Sequence, residues 1–140
     1  MRKLAFLILI FLLCAGAFAD MKQERGIILS SRVLFDFAQS FLDDKAVSVL
    51  EELAGLLKVY PKNKIIIEGH TDSIGGEESN KTLSLSRAKA VQDFFVNKGI
   101  AADRISVYGL GASKPASDNS TESGQRKNRR AEILILKYEK

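Results

Sequence analysis

Ile65-Ile66-Ile67-Glu68-Gly69-His70-Thr71-Asp72 leads, through a loop holding Gly75-Gly76, into Asn80-Lys81-Thr82-Leu83-Ser84-Leu85-Ser86-Arg87-Ala88-Lys89-Ala90-Val91. How these two segments join decides the fold. Three consecutive isoleucines suit a short strand buried on both faces. Beyond the loop, Ser84, Ala88, Val91 and Phe95 share one helical face, with Asn80 as the expected cap and Gly99 as the expected terminator. Asp72 is expected to end the strand. In α/β units, ligands sit at such a junction, outside the carboxyl ends of strands.

Upstream, residues 27–37 are apolar and partly β-branched and read as a first strand. Leu42, Ala46, Leu50, Leu53 and Leu57 follow at spacings of four, four, three and four, which predicts a helix over 43–59 capped by Asp43 and stopped by Pro61. Downstream, Ile105 and Val107 mark a third strand over 104–108. Residues 109–125, rich in Gly, Ser and Asn, are expected to form a long loop, and 131–136 a final strand. The expected fold is an α/β sandwich, β-α-β-α-β-β, with the helices packed on one face of a mixed sheet. The first three strands can run parallel through right-handed crossovers, while spacing does not decide strand order or the last strand's direction.

The junction holds a charged pair. Arg87 is expected two turns into the helix, and long helical side chains lean toward the helix N-terminus, so its guanidinium can reach the mouth beside Asp72. Free amides at the helix start favour a carboxylate there. Arg clasps carboxylates bidentately and Asp accepts from an ammonium, so the pair suits a zwitterion such as the free end of a diamino acid. The same spacing fits an Asp72–Arg87 salt bridge that only braces the fold, and both readings stand at this point.

Asn80-x-x-Leu83-Ser84-x-x-Arg87-Ala88-x-x-Val91 resembles the signature of OmpA-like domains, the kind shared by OmpA, Pal and MotB. Phe35-Asp36-Phe37, Glu68-Gly69-His70-Thr71-Asp72, Asp103-Arg104-Ile105, Gly109-x-Gly111 with Pro115, and Asn128-Arg129-Arg130-Ala131-Glu132 match in the same order. The resemblance implies non-covalent binding of peptidoglycan through its stem-peptide diamino acid, a class that includes diaminopimelate. Asp72 and Arg87 carry over as the principal contacts, with Asn80, Thr71 and Arg129 around them. It implies no catalysis and no cofactor. At Ala38 the sequence departs from the usual Asn or Asp, so a side-chain contact expected there is lost.

The N-terminus reads as an export leader. Arg2 and Lys3 precede an apolar run over 4–13, and Ala17-Phe18-Ala19 fits the rule for cleavage before Asp20. The run is about half the ~20 residues a spanning helix needs. The expected division is a signal peptide over 1–19, a lead-in over 20–27, and the OmpA-like domain over 28–138. Neither the strands of an outer-membrane porin nor the spanning helix of a MotB-type stator is expected before the domain. Cys14, the sole cysteine, lies inside the leader. The alternative is a Pal-like lipoprotein lipidated at Cys14, tethering outer membrane to cell wall, although Leu13 before it is larger than such signals favour. Membrane attachment is expected only in that case. The expected location is the periplasm, or in association with the outer membrane, with other envelope proteins as further partners.

Composition excludes other classes. The net charge is +4, and without Arg2 and Lys3 nineteen basic side chains face seventeen acidic ones. Such a balance, with no basic stripe, argues against nucleic acid. His70 is the sole histidine. His70-x-Asp72 is half a metal site with no third ligand evident, so no metal is expected, and the ring is expected to be tied by hydrogen bonds. An envelope hydrolase using His70 and a carboxylate is the remaining rival. No nucleophile stands in a recognisable setting, and on an extended strand Glu68 and Asp72 sit ~13 Å apart, too far for glycosidase chemistry.

Overall fold

A computed structural model describes residues 26–138, so the leader, its cleavage site and Cys14 lie outside the described residues. The element order is β1 (Ile27–Leu34), α1 (Asp44–Val59), β2 (Ile65–His70), α2 (Glu77–Asn97), a 3-10 turn (Ala102–Arg104), β3 (Ile105–Gly109), α3 (Glu122–Asn128) and β4 (Arg130–Leu136). No helix among these residues is long and apolar enough to cross a membrane.

The sheet order is β1-β4-β2-β3. β4 runs antiparallel to both β1 and β2, and β3 runs parallel to β2. The first three strands therefore share one direction, as expected, and the last strand enters between the first two. Six of its seven residues, Arg130-Ala131-Glu132-Ile133-Leu134-Ile135, are paired on both edges, which suits a run with little solvent-facing polarity.

Alternation along the strands sends Val33, Ile65, Ile67, Ile105, Ala131, Ile133 and Ile135 to one face, where they meet the helices. α1 contributes Ala46, Leu50, Leu53, Ala54 and Leu57, and α2 contributes Ala88, Val91 and Phe95. Asp43 caps α1 as expected, its Oδ1 accepting from the Ala46 amide at 2.8 Å. α2 lies unusually close to the sheet. A Cβ on Gly69 would overlap the Ser84 carbonyl, and one on Gly109 would press on Leu85. Glycine at both positions lets α2 settle onto β2 and β3 and brings Arg87 down to the strand ends.

Three expectations about elements are corrected. β1 stops at Leu34, because the chain then turns over residues 36–39. α2 begins one turn before Asn80. Gly76 is the cap, without a side-chain bond, and Glu77 and Glu78 in the first turn complement the helix dipole. Asn80 is an interior residue of the helix, its amide bonding the Gly76 carbonyl at 3.0 Å. The segment expected as loop over 109–125 ends in α3, capped by Thr121, whose hydroxyl accepts from the Gly124 amide at 3.0 Å.

Candidate functional site

The carboxyl ends of β1 and β2, the entry to β4 and the first turns of α2 meet at one end of the sheet. Arg87, three turns into α2 rather than two, is fully buried there. Its Nε donates to the Gln39 carbonyl at 2.8 Å, Nη1 to the His70 carbonyl at 2.9 Å and Nη2 to the Asp36 carbonyl at 3.2 Å. The guanidinium also lies 5.3 Å from the centre of the Phe35 ring. A guanidinium has five N–H groups, so two of them have no acceptor among the described residues. Burial pushes Arg87 down from the usual arginine range to about 10, with nearby Asp72 opposing that shift and Arg129 adding to it. At neutral pH it is cationic.

Asp72 lies two residues past β2 rather than ending it. Its Oδ1 accepts from the Ile74 amide at 3.0 Å and shapes the loop toward Gly75. Its Oδ2 pairs with Arg129 Nη1 at 3.2 Å, both side chains being buried. The bracing Asp72–Arg87 salt bridge, one of the two readings of the spacing, is therefore not formed, and the carboxylate faces Arg129 instead. Arg129 further donates through Nε to the Phe35 carbonyl and through Nη2 to Glu122, both at 3.2 Å. Its reach across 57 residues of sequence to Asp72 follows from β4 entering beside β1 and β2.

Thr71 is buried and its hydroxyl has no hydrogen-bond partner among the described residues, while its amide bonds the Gly111 carbonyl at 2.9 Å. Gly111 in turn donates to the Ser84 hydroxyl at 2.9 Å, so the loop after β3 is stitched to both β2 and α2. Asn80 is buried with its side-chain oxygen against Gly75. All five residues named from the sequence thus stand at this end of the sheet.

Four contributors were not among the site residues named from the sequence. Glu122, on the unforeseen α3, extends the charged network. Asp36 and Gln39 take part through backbone carbonyls, which no side-chain pattern announces. Asn128 organises the loop beneath: its Oδ1 accepts from the Ala116 and Ser117 amides at 2.7 and 2.9 Å, and its Nδ2 donates to Asn119. Thr121 before an acidic residue was a usable cap signal. Ala38 sits in the turn over Arg87 with φ at +56°, in the left-handed region that Asn and Asp tolerate better than Ala.

Across the sheet, on the face away from the helices, Glu68 and His70 of β2 and Glu132 of β4 bring ligand-type atoms within 4.8 Å of one another. The expected hydrogen bonds to the His70 ring are not made: neither ring nitrogen has a partner among the described residues. The third ligand-type side chain, which the sequence did not reveal, is Glu132, which β4 sets directly opposite Glu68.

The OmpA family profile matches residues 34–129. The chain is 41% identical over 104 residues to outer membrane porin F of Pseudomonas aeruginosa, covering 74% of this chain and 30% of that protein. It is 35% identical over 121 residues to the peptidoglycan-binding protein ArfA of Mycobacterium tuberculosis, covering 86% of this chain and 37% of that one. The chain thus spans about a third of the length of these relatives. Among solved structures, the peptidoglycan-associated lipoprotein of Burkholderia pseudomallei superposes with a TM-score of 0.73 at 31% identity, over 75% of this chain and 89% of that one. With the sheet order, the helix-borne arginine and the matched span all in agreement, the chain belongs to the OmpA family.

Proposed function

We propose that this domain holds peptidoglycan non-covalently, by the zwitterionic end of a stem-peptide diamino acid such as diaminopimelate, in the periplasm or at the outer membrane. The observation that carries the reading is Arg87: a buried guanidinium, fixed by three carbonyls, with two N–H groups left for a carboxylate. Around it, Arg87 and Arg129 balance Asp72 and Glu122 in charge, so a ligand carrying both signs enters without adding a net buried charge. The ligand carboxylate takes the Arg87 donors, its ammonium turns to Asp72, and the Thr71 hydroxyl and Asn80 line the approach. The names of the similar ArfA and peptidoglycan-associated lipoprotein chains support the same ligand.

The test is Asp72→Asn, followed by titration with a stem-peptide fragment, the same fragment acetylated on its terminal amine, and thermal unfolding. Asn keeps an acceptor for the Ile74 amide but loses the charge that an ammonium requires. It also weakens a buried pair with Arg129, so the protein should lose about 1–3 kcal/mol of stability. Wild type should prefer the free amine by at least about tenfold, equivalent to one charged hydrogen bond, and the variant should not discriminate. A variant that still discriminates removes Asp72 from ligand recognition and leaves it a brace for Arg129. Incubation with sacculi should retain protein in the pellet and release no soluble muropeptides; release would favour hydrolysis.

A further inference from the structure

We propose a second site, apart from the charged mouth although His70 lends its carbonyl to Arg87 there: a divalent transition cation of the zinc class held by Glu68, His70 and Glu132 on the helix-free face of the sheet. The placement follows from strand geometry. Gly69 faces α2, so its neighbours Glu68 and His70 point to the opposite face. The β2–β4 register sets Glu68 opposite Glu132 and His70 opposite Arg130. Two carboxylates and one imidazole therefore converge, with donor atoms no more than 4.8 Å apart.

The His70 ring supplies the independent pointer. It is 1% exposed, neither ring nitrogen has a hydrogen-bond partner among the described residues, and Nε2 faces Glu68 Oε2 at 3.8 Å. A buried imidazole without partners is costly, and that separation is too long for a hydrogen bond. A cation bonded at ~2.0–2.2 Å to each donor would satisfy the nitrogen by drawing the three atoms together by roughly 1 Å.

Glu132 accepts from Arg130 Nε at 3.1 Å and stands opposite Arg32 of β1, and a carboxylate can serve a guanidinium and a metal through its two oxygens. One nitrogen and two oxygen donors favour zinc-class ions over magnesium or calcium, which take oxygen alone. Three protein ligands on paired strands suit a stabilising role. The Glu68 side chain, 15% exposed, is the edge through which the ion enters.

Because His70 is the only histidine in the chain, its ring proton resonances report on this site without assignment. The experiment is titration of the full chain carrying Cys14→Ser with Zn²⁺ alone, followed by NMR of the imidazole, calorimetry and thermal unfolding, with Mg²⁺ as the comparison ion. Expected are a saturable 1:1 isotherm, a shift of the His70 ring signals that saturates with it, and a melting temperature that rises with zinc but not with magnesium. Glu68→Gln, at a half-buried position that tolerates an amide, should weaken zinc by at least about tenfold, and His70→Gln by about a hundredfold or more. Ring signals that stay unmoved at tenfold zinc excess overturn the proposal, with no variant needed. Zinc binding of undiminished affinity in Glu68→Gln or His70→Gln overturns it too, because the ion then sits elsewhere.

Discussion

Two arginines in this domain are clasped in the same way at different places. Arg87 donates to the carbonyls of Gln39, His70 and Asp36. Arg104 donates to the carbonyls of Asn63, Leu57 and Tyr60, at 3.1, 3.0 and 2.8 Å. Each closes the chain around a guanidinium, and burial lowers the pKa of each, partly countered by Asp72 in one case and Asp103 in the other. The surroundings differ. Arg104 gathers the carbonyls at the C-terminal end of α1 and in the turn after it, where a cation complements the helix dipole, and it is only half-buried. Arg87 is fully buried and shares its neighbourhood with Asp72 and Arg129. A carbonyl clasp alone is thus a fastening; on the proposed reading, the same clasp beside a second cation, an anion and the Thr71 hydroxyl becomes a receptor for a charged ligand.

The comparison breaks first at Arg87→Lys. An ammonium has no planar fork, so it cannot reach three carbonyls and also present two parallel donors to a carboxylate. With at least one buried carbonyl left unpaired, urea unfolding should show a loss of about 2–4 kcal/mol. Affinity for the stem-peptide fragment, measured below the urea transition, should fall about tenfold to a hundredfold. If Lys binds as tightly as Arg, the carboxylate is held elsewhere and Arg87 is only a fastening, like Arg104.

The residues of the proposed receptor were more legible in the sequence than their wiring. Asp72, Arg87, Asn80, Thr71 and Arg129 stand at one end of the sheet, and the stripes Leu42 to Leu57 and Ser84 to Phe95 marked α1 and α2, because helical burial repeats locally. What was missed depends on pairs far apart in the chain. Asp72 was matched with Arg87, but its partner is Arg129, which only the entry of β4 between β1 and β2 brings near. Glu132 joins Glu68 and His70 for the same reason. α3 buries no apolar stripe and is held by polar caps, so its seven residues read as loop. The early start of α2 was hidden because Gly76 caps it without a side-chain bond.

Arg104→Lys sharpens the comparison from the other side. Water reaches this half-buried guanidinium, so carbonyls released by the substitution are rehydrated rather than stranded. The expected loss of stability is about 1 kcal/mol, read as a lower urea midpoint at constant slope. The affinity for the stem-peptide fragment should not change. A binding loss equal to that of Arg87→Lys would mean that the two clasps are coupled through the fold, and that the mouth owes its affinity to general rigidity rather than to its own charges.

The smallest expected effect separates two explanations of Ala38. The residue sits between Asp36 and Gln39, whose carbonyls hold Arg87, and its φ of +56° is one that an L side chain adopts at a cost. Asn visits this region more readily than Ala, so Ala38→Asn should stabilise the domain by about 0.5–1 kcal/mol. Gly relieves the same strain, but it also gives the unfolded chain more freedom, so Ala38→Gly should stabilise less than Asn. If backbone conformation is the whole role of this position, both variants raise the urea midpoint and neither changes affinity by more than a better-held Arg87 would, so their affinities should be alike. If a polar side chain here also touches the ligand, Asn binds more tightly than Gly at matched stability. Thermal unfolding and fragment titration on the three proteins decide between these outcomes. A midpoint unchanged in both variants would show that the turn over Arg87 does not hold Ala38 in the left-handed region in solution.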